Sequence, residues 1–146
     1  MEIYLLRHGQ AEDRAPGRRD ADRKLTPKGR RDVQATLALA NLDPQLILSS
    51  GLRRADQTAA IASERFTTTP SLLPTADPAD LWTELRSTNL DRVLLVGHEP
   101  HLGHFISLLL GAPISVDFKK GAILRIDARK ELPGTLRWML TPRLAL

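Results

Sequence analysis

The chain contains no cysteine and no long hydrophobic run, and each absence excludes a class of protein. Without cysteine there is neither a disulfide framework nor a thiolate metal site. No apolar stretch approaches the roughly 20 residues that a membrane helix needs. The N-terminus also lacks the basic start and the long apolar segment of a signal peptide. We therefore expect a cytoplasmic protein that does not associate with a membrane.

Aromatic residues are scarce as well, at 4% of the chain, and this bears on the kind of anionic partner. With 21 Lys and Arg against 17 Asp and Glu, the net charge is +4, which favours anionic ligands. Acidic residues are interspersed with the basic ones between residues 12 and 32, as on a mixed solvated surface. We expect an anionic small molecule or a phosphoprotein as partner, and no nucleic acid.

Short apolar runs at residues 3–6, 46–48 and 92–96 predict buried strands, and segments with helical periodicity lie between them. A length of 146 residues suits one domain, over residues 1–146, with a substantial core. The alternation of strands and helices predicts an α/β fold in which a mostly parallel central sheet carries helices on both faces.

Capping signals mark where helices begin. Thr26 followed by Pro27 predicts one helix start, and Asp77 followed by Pro78 predicts another. The remaining predictions are a loop at residues 10–24, an edge strand at residues 71–73, a helix at residues 101–110, and strands at residues 122–127 and 135–140.

Three of the predicted strands end close to basic residues. Arg7 and His8 follow the first strand, Arg54 lies at the start of the helix after the second, and His98 follows the strand at residues 92–96. Ligands of open α/β sheets bind at the carboxyl ends of the strands. Arginine matches phosphate geometry, and histidine titrates near neutral pH. Each residue alone could be a polar side chain at the exposed end of a strand, but three such positions on one sheet edge favour a phosphate pocket.

Neighbouring basic residues have simpler interpretations. Adjacent helix positions point about 100° apart, so Arg53 and Arg54 cannot enter the same pocket, and we assign Arg53 to solvent. We interpret Lys119 and Lys120 as a solvated loop.

The histidine cluster invites a metal interpretation, which the spacing does not support. In His98-Glu99-Pro100-His101 the second histidine comes one residue too early for the zinc-protease motif. We expect His101 and His104 to be ordinary packing or surface residues, and we predict neither a metal site nor a cofactor.

Arg7-His8-Gly9, residues 50–58 and residues 96–100 together resemble the histidine phosphatase superfamily. The segment at residues 20–29 and the short chain are similar to the compact SixA-type phosphohistidine phosphatases. The resemblance implies a phosphoglycerate mutase-like, three-layer α/β/α sandwich. It also implies a hydrolase that needs no metal and forms a phosphohistidine intermediate.

The resemblance assigns a role to each of four residues. His8 would be the nucleophile that takes the phosphoryl group, and Arg7, Arg54 and His98 would surround its equatorial oxygens. Activity should fall at acidic pH as His8 becomes protonated. His98 would help most when it is protonated.

One departure from the larger superfamily members bears on the substrate. They insert a segment that carries a proton-donating glutamate, and the stretch between residues 71 and 92 leaves no room for it. No spacing selects a substitute among Asp20, Asp22, Asp77 and Glu84. An imidazole leaving group, with a pKa of about 6.5, needs less protonation than an alkoxide. This favours phosphohistidine in a protein partner.

Two alternatives stay open: a phosphatase of small phosphorylated metabolites, and a phosphate-binding module without turnover. The sequence leaves the oligomeric state and the proton donor undetermined.

Overall fold

The computed structural model describes residues 1–145 and contains a six-stranded sheet with helices packed on it. The strands are β1 (Glu2–Arg7), β2 (Leu46–Ser49), β3 (Thr67–Thr68), β4 (Arg92–Gly97), β5 (Ile123–Asp127) and β6 (Thr135–Leu140). The helices are α1 (Pro27–Ala40), α2 (Arg53–Ala62), α3 (Pro78–Arg86), α4 (His101–Leu110) and α5 (Pro142–Ala145). Within residues 1–145, no helix combines the length and hydrophobicity that a membrane crossing requires.

The strand order is β3-β2-β4-β1-β5-β6. The first four strands are parallel, whereas β5 and β6 are antiparallel additions next to β1. The prediction of a mostly parallel sheet is therefore confirmed. Because β1, β2 and β4 run in the same direction, their carboxyl ends lie at one edge of the sheet.

Side-chain alternation along the central strands divides the core into two layers. Ile3 and Leu5 pack with the leucine-rich faces of α3 and α4, while Tyr4 and Leu6 pack with residues of α1 and α2. Successive side chains of a strand point to opposite faces, so each face of β1 is covered by helices. This is the three-layer α/β/α arrangement that the sequence predicts.

Local capping explains where the helices begin. The Thr26 side chain accepts a hydrogen bond from the N–H of Gly29 at 3.0 Å, and Asp77 accepts one from Ala79 at 2.9 Å. Each cap satisfies an N–H that has no partner within the helix. Proline occupies the first helical position after both caps, as predicted.

The prediction of an edge strand at residues 71–73 is wrong. Residues Pro70–Leu72 form a 3-10 turn, and the edge strand is the short β3, which pairs with β2. Thr69 accepts a hydrogen bond from the N–H of Ser71 at 3.2 Å, which stabilises the turn. The two leucines indicate burial correctly, since Leu72 is fully buried, but burial alone does not require extended backbone.

The chain that leaves β1 packs very closely against the start of α1, and the contact is made by two glycines, Gly9 and Gly29. A Cβ atom on Gly9 would lie 2.8 Å from the carbonyl oxygen of Gly29, and one on Gly29 would overlap the carbonyl oxygen of Gln10. These obstacles are backbone atoms, which cannot rotate away as a side chain can. Glycine is therefore required here for packing.

We expect Gly29→Ala to lower the free energy of unfolding by about 1–3 kcal/mol, although alanine is the better helix former. Urea unfolding measures this change. Arg31→Ala, at an exposed position of the same helix, is the control and should stay within about 0.5 kcal/mol of the parent protein. A Gly29→Ala protein as stable as the parent would contradict the close approach described above.

Candidate active site

The four predicted residues Arg7, His8, Arg54 and His98 line one cavity of about 640 Å³. Strand register explains the meeting of the two histidines. Arg7 pairs with Gly97 across β1 and β4, so the residues that follow them are neighbours. The imidazole rings of His8 and His98 lie with their centroids 4.9 Å apart.

His8 is held by the backbone in one orientation. Its ring Nδ1 lies 2.7 Å from the carbonyl oxygen of Gly9 and donates to it, which leaves Nε2 as the nitrogen with the free lone pair. The backbone N–H of His8 donates a hydrogen bond to the carbonyl oxygen of Gly97 at 3.1 Å. Burial, with the positive charges of Arg54, Arg7 and Lys120, lowers the pKa of His8 to about 4 despite the opposing hydrogen bond. His8 is thus neutral and nucleophilic at pH 7.

His98 is oriented by Ser50, whose Oγ lies 2.7 Å from its Nε2. Ser50 Oγ already accepts the N–H of Leu52 at 3.2 Å, and within residues 1–145 the hydroxyl has no acceptor other than His98. We assign the hydroxyl as the donor to Nε2, which places the proton of a neutral His98 on Nδ1. Burial and the charges of His8 and Arg54 lower the pKa of His98 to about 3. We expected a protonated His98, but at neutral pH the residue is neutral and still has one N–H donor.

Arg54 enters the cavity, whereas Arg53 is exposed, as the helical geometry predicts. The guanidinium of Arg54 donates to the backbone carbonyl of Asp20 at 3.0 Å and to its carboxylate at 3.2 Å. Partial burial raises the pKa of Asp20, but the guanidinium groups of Arg54 and Arg23 outweigh this and lower it overall. Asp20 therefore stays ionised and orients Arg54, and is not suited to donate a proton.

The other candidate proton donors lie outside the cavity. Asp77 caps α3, and Glu84 accepts a hydrogen bond from Thr69 at 2.9 Å. Asp22 lies in the loop beside the cavity without lining it. The carboxylates that do line it are Asp13, Asp20 and Glu99. From the sequence we considered Glu99 only as part of a metal motif. Its position directly after His98 could have indicated that it lies at the same cavity.

Lys120 lines the cavity. From the sequence we interpreted Lys119 and Lys120 as a solvated loop and did not place Lys120 at the site. Its loop is fixed to the end of β1 on both sides. Arg7 donates to the carbonyl of Phe118 at 2.8 Å, and the N–H of Gly121 donates to the carbonyl of Arg7 at 2.9 Å. Lys120 is exposed, as predicted, but the antiparallel pairing of β5 with β1 brings it beside the site.

Three nitrogens of the site residues lack a hydrogen-bond partner within residues 1–145. They are Nε of Arg7, Nε of Arg54 and Nδ1 of His98, and all are buried. An unpaired buried donor costs about 1–3 kcal/mol, so such groups indicate a missing ligand. Oxygen atoms of a tetrahedral oxyanion would supply the acceptors. The cavity is therefore suited to a phosphoryl group placed against His8.

A metal ion has no comparable site in the described part of the chain. Residues 1–145 contain no group of three or more His, Asp or Glu side chains arranged to hold one. His101 is buried in α4 while His104 is exposed, so the histidines of that segment do not converge.

Fold and site together define an α/β protein whose pocket at the carboxyl ends of the strands brings together two histidines and two arginines. Residues 3–77 match the family model of the histidine phosphatase superfamily, branch 1. An uncharacterized protein of Picosynechococcus sp. is 37% identical over 116 residues, covering 72% of this chain and 70% of that protein. The chain belongs to the histidine phosphatase superfamily.

Two further proteins are similar to this chain. The solved structure of the protein histidine phosphatase SixA complexed with tungstate has a TM-score of 0.85 at 24% identity, and the match covers 98% of both chains. A glucosyl-3-phosphoglycerate phosphatase of Mycolicibacterium vanbaalenii is 37% identical over 91 residues. That match covers 60% of this chain and 36% of the relative. Phosphatase activity follows from the family, and the names of these two proteins give them different substrates.

The low pKa values of His8 and His98 predict a pH-dependent stability. In the unfolded chain both titrate near 6.5, so between about pH 6.5 and 4 the unfolded state binds more protons than the folded state. The free energy of unfolding should fall as the pH drops through this range. Urea unfolding of the parent and of His8→Asn/His98→Asn measures it, and the double variant should lose less stability between pH 7 and 5. His104→Asn, at an exposed histidine, should follow the parent; equal losses in all three proteins would contradict the assignment.

Arg54 should contribute to oxyanion binding and Arg53 should not. We expect Arg54→Ala to weaken inorganic phosphate binding at pH 7 by about tenfold or more, because a charge-assisted contact is lost. Arg53→Ala is the matched control and should bind as the parent does. Isothermal titration calorimetry gives both constants, and equal effects of the two substitutions would be inconsistent with the geometry.

Proposed function

We propose that the protein is a phosphatase that uses His8 as its nucleophile and acts on phosphohistidine in a protein partner. The observation that carries this proposal is that His8, whose Nε2 is free, lines one cavity with Arg7, Arg54 and His98, each of which has a buried N–H without a partner in residues 1–145. Phosphoryl transfer depends mainly on positioning and on stabilising spread negative charge. Such a set of donors supplies both.

The reaction has two steps. Nε2 of His8 attacks phosphorus while the bond from phosphorus to the substrate nitrogen breaks, and the substrate ring, already protonated on its second nitrogen, leaves as neutral imidazole. Water then attacks the phosphorylated His8, which yields inorganic phosphate and restores the free histidine. Arg7, Arg54 and the Nδ1–H of His98 hold the equatorial oxygens through both steps.

The leaving group favours phosphohistidine over a phosphate ester. An alkoxide must be protonated as it leaves, whereas an imidazole with a pKa of about 6.5 leaves more easily. The carboxylate nearest Arg54, that of Asp20, has a lowered pKa and is a poor acid. The likeness in fold to SixA, whose description is protein histidine phosphatase, agrees with this preference.

A second candidate is hydrolysis of a small phosphorylated metabolite. The glucosyl-3-phosphoglycerate phosphatase of Mycolicibacterium vanbaalenii, which matches over 91 residues, favours it. Asp13 and Glu99 are the carboxylates of the cavity besides Asp20, and Oε1 of Glu99 already accepts the N–H of Gly103 at 2.7 Å, so an ester leaving oxygen would need Asp13 or the second oxygen of Glu99 as its proton donor. The two candidates differ in substrate and share the role of His8.

Phosphate release from a phosphohistidyl protein and from p-nitrophenyl phosphate, measured in the presence of chelator, tests the proposal. We expect the parent protein to prefer the phosphohistidine by at least about tenfold in kcat/KM, because imidazole leaves without an acid. His8→Ala should lose activity on both substrates, by about 10³-fold or more, since the nucleophile is removed. His104→Ala is the control and should behave as the parent.

Three outcomes would change the assignment. Release from the ester alone would retain the role of His8 and assign the protein to the small-metabolite class. Phosphate binding with no turnover of either substrate would indicate a binding module. Undiminished activity of His8→Ala would exclude His8 as the nucleophile.

A further inference from the structure

A second cavity, of about 600 Å³, adjoins the active-site cavity and shares Arg7 and Lys120 with it. We name it the basic groove, because its lining includes the cationic residues Arg7, Lys28, Lys119, Lys120 and Arg143. We propose that the basic groove binds an acidic side chain next to the phosphohistidine of the partner protein, and that Lys120 forms the ion pair with it. This proposal rests on the proposed function.

Lys120 is the lysine of the groove whose charge is not already neutralised. Lys28 pairs with Asp32 at 2.7 Å, and Lys119 pairs with Asp117 at 3.2 Å. Lys120 forms no ion pair with the carboxylates of residues 1–145, and it is exposed. Its ammonium group therefore remains available for a carboxylate brought by the substrate.

The loop that carries Lys120 is anchored. Phe118 before it is buried in the core, and the N–H of Gly121 after it is bonded to the carbonyl of Arg7 at 2.9 Å. The carbonyl of Gly121 accepts a hydrogen bond from Thr36 of α1 at 2.8 Å. A charge on a held loop loses less conformational entropy on binding than one on a mobile segment. The backbone position of Lys120 relative to β1 is therefore set before the substrate arrives.

The size and lining of the groove favour a protein over a metabolite. Each of the two cavities has the volume that holds a drug-sized ligand. A metabolite with one carboxylate beside its phosphate would leave most of the basic groove empty. Met139, with 38% of its surface exposed, and Pro142 add apolar lining next to the cations. A protein surface offers both acidic and apolar side chains, so it can fill the groove.

Two synthetic phosphohistidine peptides test the inference, one with aspartate and glutamate beside the phosphohistidine and one with alanine at those positions. The parent protein should have a kcat/KM for the acidic peptide about threefold to tenfold higher, mainly through KM, as expected for a partly exposed ion pair. Lys120→Ala should abolish the preference, and Lys120→Arg should restore it. Lys130→Ala, at an exposed lysine outside the groove, should keep it.

The small substrate phosphoimidazole separates this inference from the function on which it rests. Lys120 also lines the active-site cavity, so Lys120→Ala should change kcat/KM for phosphoimidazole and for the alanine peptide by one common factor, since neither substrate brings a second acidic group. A parent protein without a preference between the peptides would overturn the role of the groove. So would a preference confined to carboxylate-bearing phosphate esters of small metabolites. Failure to hydrolyse phosphoimidazole and both peptides would overturn the proposed function itself.

Discussion

The parallel pairing of β1 with β4 is the constraint on which the rest of the site depends. Opposite Arg7 lies Gly97, and the residues that follow, His8 and His98, become neighbours only in this register. A shift of one residue would turn every side chain of the strand to the other face. The alternating burial of β1 against two different helical layers therefore fixes the register. Core packing thus aligns the two histidines.

A cost to stability accompanies the concentration of basic groups at this sheet edge. Two imidazoles are kept neutral by burial, and three buried nitrogens of the site have no hydrogen-bond partner within residues 1–145. Donors fixed in advance around a site of developing charge are what electrostatic catalysis requires. The surrounding hydrogen bonds of Asp20 and Ser50 hold Arg54 and His98 in place without supplying that charge. Stability and activity therefore make opposite demands on the same atoms.

Substrate choice in this fold depends on what surrounds the shared centre. An ionised Asp20 makes the pocket poor at protonating an alkoxide, whereas imidazole departs more easily. Glu99 also lines the cavity, and its Oε1 accepts the N–H of Gly103 in α4 at 2.7 Å. The proposed role of the basic groove would extend recognition beyond the phosphoryl group. In that proposal Arg7 lines both cavities, whereas Lys120 contributes to recognition and not to phosphoryl transfer.

The sequence by itself determined the features that depend on local physics. Periodic apolar runs located the central strands, caps at Thr26 and Asp77 located two helix starts, and helical geometry separated Arg54 from Arg53. Together with the motifs, these features were enough to predict the site residues Arg7, His8, Arg54 and His98. Where two local signals competed, as in the turn at Pro70–Leu72, hydrophobicity predicted burial and missed the backbone conformation.

Only the tertiary structure decided the contacts between residues distant in the chain. Asp20 reaches Arg54 across 34 positions and Ser50 reaches His98 across 48, so neither partnership leaves a local pattern. Lys120 adjoins the site because β5 pairs antiparallel with β1, a choice made by the whole sheet. The protonation state of His98 follows from burial, which exists only once the layers pack. Local sequence thus specifies the groups that the site contains, and long-range packing decides their distances, orientations and charges.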